Sequence, residues 1–287
     1  MQRIAAAVDL SKYAPSVVAR AALLAECWGA TLTLVHVYES APVESSSLYA
    51  TATLDAQRRQ TAEASLQELE KSRGLAQAKT IVESASDIPG TICDILGAER
   101  SDMIVVGTHG RAGIDRFFMG SVAERVVRRA PCPVWVERPA SRPDLERLVV
   151  CTDMSALSLA GLDLASVVAQ GLGLAVEVVH VLEPSYHGLA IETRREIVSR
   201  LRERLAALAA SRFEPSVTPR LTVLHDDTNA VDSIVTHLSR TSADLVVLAT
   251  HGHTGLRRAF MGSVAERVVR FSPCSVLVGR SPFHRST

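Results

Sequence analysis

Lysine is scarce in this chain of 287 residues: Lys12, Lys71 and Lys79 are the only three among 31 basic residues, and none lies in a G-K-[ST] context. A P-loop is thereby excluded. Aromatic residues make up only 4%, too few for the stacking platforms that bind single-stranded nucleic acid. Net charge is absent as well. Basic and acidic residues number 31 each, and division after Pro143 leaves 16 of each sign before it and 15 of each after. Neither half carries the basic footprint of a nucleic-acid or anionic-membrane binder, so neither partner is expected. No apolar run reaches the roughly 18 residues of a spanning helix. The start, Met-Gln-Arg-Ile-Ala-Ala-Ala-Val-Asp, is too short in apolar residues for a signal peptide, and a cytoplasmic location is expected. The cysteines Cys27, Cys93, Cys132, Cys151 and Cys274 never form C-x-x-C and sit within apolar patterns. They read as reduced, buried thiols, with no metal site among them.

What the chain does have is a repeat. Displaced by 142 residues, Val105 to Val136 matches Val247 to Val278 at 21 of 32 positions, including FMGSVAERVVR at 118–128 and 260–270. At a displacement of 144, Val-Asp-Leu-Ser at 8–11 meets Thr-Asp-Met-Ser at 152–155, and His36-Val37 meets His180-Val181. Such self-similarity marks a duplicated domain. The proline-bearing linker 137–144 divides a first domain, 1–140, from a second, 145–287.

Each half alternates short β-rich runs with Ala- and Leu-rich helical segments. Strands are expected at 3–8, 31–38, 79–83, 103–107 and 134–137, then at 147–151, 175–182, 218–224, 245–249 and 276–279. Helices are expected near 14–28, 54–73, 89–99 and 122–130, then near 156–170, 190–211, 229–241 and 264–271. Residues 39–53 read as a polar connection. Continuous apolar strands such as Leu245-Val246-Val247-Leu248 suit a parallel sheet covered on both faces. Five strands per half are too few for a closed barrel, so the expected fold is α/β, with two tandem doubly wound, Rossmann-like domains. In such a sheet, ligands collect beyond the carboxyl ends of the strands, where strand order reverses.

The chemistry is expected at that edge. Gly107-Thr108-His109-Gly110 follows the fourth strand, and nine residues later Gly120-Ser121 opens a helix. Glycines let backbone amides approach a ligand closely, and a helix start offers unpaired N–H groups to a phosphate. Ser121 with Glu124, and Ser263 with Glu266, also satisfy the S-x-x-E capping box, which needs no ligand. Capping does not account for three glycines at one strand end. Asp9 and Asp153 end the first strand of each half; each suits a ribose, an adenine or a magnesium ion, and each equally suits an N-cap. His109 and His251 lack a paired nucleophile and read as turn residues.

The pattern V-G-x-x-G-x9-G-S-V, with D-x-S after the first strand and H-V ending the second, resembles the universal stress protein family in its tandem, ATP-binding form. The resemblance implies a five-stranded parallel sheet per domain, strand order 3-2-1-4-5, and an adenine nucleotide at its carboxyl edge. Carried over by position, Asp9 and the backbone near Ala7 and Val37 would hold adenine and ribose. Val106, Gly107, Gly110, Gly120, Ser121 and Val122 would line ribose and phosphates, with arginines such as Arg111 as helpers. The second set is Cys151, Asp153, Val181, Leu248, Ala249, Gly252, Gly262, Ser263 and Val264. Ala249 stands where the motif has glycine, and its methyl is expected to crowd the ribose and make the second site the weaker.

The expected function is therefore ATP binding in a stress or regulatory protein, with Mg2+ as companion ion and no residue assigned a catalytic role. The alternatives are slow magnesium-dependent hydrolysis through Asp9 and a nucleotide-free interaction module. Family dimers pair through the last strand, so 133–137 and 275–279 are candidates for an intramolecular pseudo-dimer, with a homodimer as a further expectation. The dinucleotide fingerprint G-x-G-x-x-G is missing after the first strand, which disfavours flavin and nicotinamide.

Overall fold

The computed structural model describes residues 1–40, 48–75, 77–108, 119–139, 141–156, 158–182, 186, 188, 190–225, 229–249 and 262–279, with backbone alone at 48–51. The chain forms two compact units, Met1–Pro139 and Ala140–Thr287.

The first unit runs β1 (Arg3–Ala7), α1 (Ala14–Trp28), β2 (Thr31–Glu39), α2 (Leu48–Ser72), β3 (Lys79–Ala85), α3 (Ile88–Ala98), β4 (Met103–Gly107), α4 (Ser121–Arg129) and β5 (Val134–Glu137). The second runs β6 (Arg147–Cys151), α5 (Leu159–Leu172), β7 (Ala175–Val181), α6 (Ile191–Arg212), β8 (Arg220–Leu224), α7 (Ala230–Thr241), β9 (Leu245–Ala249), α8 (Ser263–Phe271) and β10 (Ser275–Gly279). The first sheet has the order β3-β2-β1-β4-β5 and the second β8-β7-β6-β9-β10, all pairs within each being parallel. Strand order thus reverses between β1 and β4, and between β6 and β9. Right-handed crossovers then place α1 and α2 on one face and α3 and α4 on the other, with α5 and α6 opposite α7 and α8 in the second unit.

The central strands are buried as their continuous apolar runs require: Ile104, Val105, Val246 and Val247 are inaccessible to solvent. Helix α1 ends at Gly29 and α5 at Gly173, each left-handed (φ 58° and 66°), with the cap amides returning to carbonyls of the last turn. At the amino edge, away from the glycine loops, the Asp102 carboxylate accepts from the amides of Gln2 and Arg3 at 2.6 and 3.0 Å. Asp244 does the same with Glu146 and Arg147, at 2.9 and 3.0 Å. These carboxylates lock the start of one central strand to the other in both halves.

One boundary differs from the sequence reading. The stretch 39–53 is not wholly a connection, because α2 begins at Leu48. The residues Leu48-Tyr-Ala-Thr-Ala-Thr-Leu54 continue the helical segment backward, and the serines just before them had masked its start.

Candidate functional site

At the mouth of the first sheet, Ala7 of β1 lies in register with Val106 of β4 and with Val35 of β2. The chain then leaves β1 in a tight turn. Asp9 does not cap α1: its Oδ1 accepts from the Ser11 amide at 3.0 Å, and α1 opens three residues later with Tyr13 at the cap position. Asp153 and Ser155 repeat the bond at 3.0 Å. Between each pair sits a non-glycine residue in the left-handed region, Leu10 (φ 57°) and Met154 (φ 60°). That conformation costs of order 1 kcal/mol for a side chain with a Cβ, and here it is held in both halves at the same place.

A histidine holds each turn down. Nδ1 of His36 donates to the Val8 carbonyl at 2.6 Å, and Nδ1 of His180 donates to the Thr152 carbonyl at 2.9 Å. A carbonyl only accepts, so the bond fixes the protonated ring nitrogen. In the sequence these histidines appear only as part of a family pattern; their tie across 28 residues emerges from strand pairing.

The capping-box reading of Ser121 and Ser263 is overturned. Gly120 and Gly262 occupy the cap positions, both helices lack a side-chain cap hydrogen bond, and each serine is the first helical residue. A serine hydroxyl caps from the position preceding the first turn, so a one-residue shift removes the bond. The amides at 121–123 and 263–265 have no acceptor within the helix, and no partner among the described residues, the first intrahelical acceptor being reached by Glu124 N to Gly120 O at 3.0 Å and Glu266 N to Gly262 O at 2.9 Å. The Gly120 amide donates to Thr108 O at 2.7 Å, and the Thr108 amide to Glu137 O at 3.2 Å. These bonds bring the start of α4 to the ends of β4 and β5. Gly110, Gly252, His109, His251 and Arg111 lie outside the described residues.

In the second unit the corresponding edge is a cleft of ≈ 490 Å³, within the range of small-molecule sites. Eight residues singled out in the sequence line it together: Cys151, Asp153, Val181, Leu248, Ala249, Gly262, Ser263 and Val264. The structure adds walls that motif reading missed. Ile197, Leu201 and Arg204 come from α6, Ala230 and Ile234 from α7, and Tyr186 from the connection after β7. The 197–201–204 spacing was visible as a helical stripe, but a stripe does not say whether it meets a core or a cavity. Burial, with lesser contributions from Cys274 and Glu177, pushes the Cys151 thiol up to about 12, so it stays protonated at neutral pH.

Ala249 lines the cleft and also packs close to α5. A Cβ built on Gly161 of α5 would lie 3.8 Å from the Ala249 Cβ and 3.5 Å from its amide nitrogen. The methyl faces α5, whereas Gly262 to Val264 open a helix on the opposite face of the sheet. Among the described residues no cluster of three His, Cys, Asp or Glu could hold a metal ion, and no helix is long and apolar enough to cross a membrane.

A model of the universal stress protein family matches residues 1–138 and again 145–280. A universal stress protein of Mycobacterium tuberculosis is 29% identical over 284 residues, spanning 89% of this chain and 92% of that protein. One from Thermus aquaticus is 36% identical over 138 residues, 46% of this chain and 95% of its own. The crystal structure of a universal stress protein from Archaeoglobus fulgidus has the same fold, with a TM-score of 0.71 at 18% identity over 97% of this chain and 98% of that one.

Proposed function

The chain belongs to the universal stress protein family, and we propose that it binds ATP, accompanied by Mg2+, at the carboxyl edge of each sheet and serves as a nucleotide-responsive regulatory protein of the cytoplasm. The observation that carries this reading is the second-unit cleft, where Asp153 and Val181 from one side of the strand-order reversal meet Gly262, Ser263 and Val264 from the other. The open amides of the helix start suit phosphate oxygens, since the N–H groups and the helix dipole both favour negative charge. Apolar Ile197, Leu201 and Ile234 suit the flat face of a base. Asp153, oriented by its turn, suits ribose hydroxyls. Asp9, Ala7, Val37, Val106, Gly107, Gly120, Ser121 and Val122 would perform the same tasks in the first unit.

This donor set binds without an evident means of hydrolysis. The sequence has no P-loop lysine, and among the described residues no general base stands beside the helix start; on this reading occupancy itself is the signal, with ligand stabilising whichever conformer holds it better. The test is to denature freshly purified protein, identify the released small molecule by mass, and titrate the emptied chain with MgATP by calorimetry. Release of adenine nucleotide and saturable heat support the reading; neither nucleotide nor heat overturns it. Turnover well above background that disappears in Asp9→Ala would instead establish the slow ATPase.

A further inference from the structure

The two halves fill the row at the carboxyl ends of their last two strands in different ways. Gly107 ends β4 in register with Glu137, and Ala249 ends β9 in register with Gly279. Aligned by the repeat, Val17 and Arg20 of α1 correspond to Gly161 and Leu164 of α5; Arg20 bonds Glu137 in the first row, and Gly161 and Leu164 lie next to Ala249 and Gly279 in the second. Bulk has moved between helix and sheet at one place, and the strand has lost it at the other. A bare strand end, Gly107, goes with the buried Val17; a strand end bearing a methyl, Ala249, goes with a bare helix position, Gly161. Gly279 goes with Leu164, whose Cδ2 would lie 3.1 Å from a Cβ added there. A side chain of valine size on α5 beside the Ala249 methyl would overfill the row, and close-packed interiors resist overfilling.

We infer that Gly161 is a positioning residue for the second cleft: by making room on α5 for the Ala249 methyl, it leaves the end of β9 undisplaced and the cleft as competent for ligand as the first. The inference rests on the nucleotide reading of the cleft. The space next to the Ala249 backbone is already bounded, since a Cβ on Gly161 would lie 3.5 Å from its amide and 3.7 Å from the Leu248 carbonyl carbon. A single methyl fits at those distances. The two further methyls of valine extend toward the strand and push the end of β9 outward, into the volume lined by Leu248 and Ala249. On this account the departure from the family's glycine is compensated within the chain.

The experiment is calorimetric titration of the full chain with MgATP, with thermal unfolding of every variant as a check of folding. Two ligands per chain are expected for the wild type. Gly161→Val should weaken one site by about tenfold or more, Gly161→Val with Ala249→Gly should restore it within about threefold, and Ala249→Gly alone should tighten neither site by more than about threefold. Should Gly161→Val not fold, Ala249→Gly decides alone. Tightening of a site by about tenfold in Ala249→Gly, or a second ligand appearing only in that variant, overturns the inference while leaving the first unit's nucleotide site intact. Unchanged binding in a folded Gly161→Val overturns it too. Absence of heat from every variant overturns the nucleotide reading, and the inference falls with it.

Discussion

Arg20 Nε donates to Glu137 Oε2 at 3.2 Å, with the two side chains only 3% and 4% exposed. The same carboxylate oxygen accepts from Trp135 Nε1 at 2.7 Å, and the guanidinium carbon lies 5.6 Å from the centre of the Trp135 ring. At the aligned positions of the second half stand Leu164, Gly279 and Leu277, of which Leu164 and Leu277 are fully buried. One fold therefore closes the same space with an ion pair in one copy and with hydrocarbon in the other.

Breaking that ion pair from one side should be costly. Arg20→Leu leaves a buried carboxylate without its cation, and a loss of about 3–5 kcal/mol is expected in the unfolding of the first unit. The combined replacement Arg20→Leu, Trp135→Leu, Glu137→Gly copies the second half and should recover most of that loss. Denaturant titration of the full chain, resolving the transitions of the two units, measures both.

The histidine ties can be cut singly. His36→Leu strands the buried Val8 carbonyl, and about 1–3 kcal/mol of stability should be lost. His180→Leu should cost less, because His180 lies at the cleft and is less buried than His36, so water can reach the Thr152 carbonyl more readily. Comparable losses at the two positions, measured by the same titration, would contradict this ranking.

Two glycines should respond to alanine with opposite signs. Gly161 is helical with room for a methyl at ordinary contact distance, so Gly161→Ala should stabilise by about 0.5–1 kcal/mol through reduced unfolded-state entropy. Gly173 has φ +66°, and Gly173→Ala should destabilise by about 1–2 kcal/mol. Melting temperatures of the two variants give the signs directly.

Cys151 supplies a pH signature. Its thiol is raised from 9.0 to about 12, chiefly by burial, and thiolate is the reacting species. Alkylation at pH 8 should therefore be far slower at Cys151 in the native chain than in the unfolded one, as peptide mass mapping would report. The linkage has one sign: below pH 9 both states hold the proton, and as pH rises from there toward 12 the unfolded chain releases it first. The stability associated with this group thus declines across that window.

Much of the site was legible beforehand because its residues are set by backbone demands. Gly107 ends a strand, Gly120 and Gly262 each immediately precede a helix, and the Asp-x-Ser turns at Asp9 and Asp153 recur with their spacing unchanged. What resisted reading was whatever depends on a second element. Leu10 and Met154 carry no local mark of a left-handed residue, since their strain is imposed by the turn around them. Ser121 and Glu124 satisfied a capping rule, yet the helix began one residue early for it, at Ser121 itself. The α6 wall of the cleft looked like any buried helical stripe.

The amino-acid sequence by itself determined the duplication, the alternation of strands and helices, and hence the parallel sheets and the edge at which a ligand would sit, because hydrophobic periodicity and glycine placement act within a few residues. Tertiary structure alone decided which way the Ala249 methyl turns and that Gly161 is there to receive it. Side-chain direction at a strand end is settled by the helix that packs over it, and that helix is some 80 positions away in the chain.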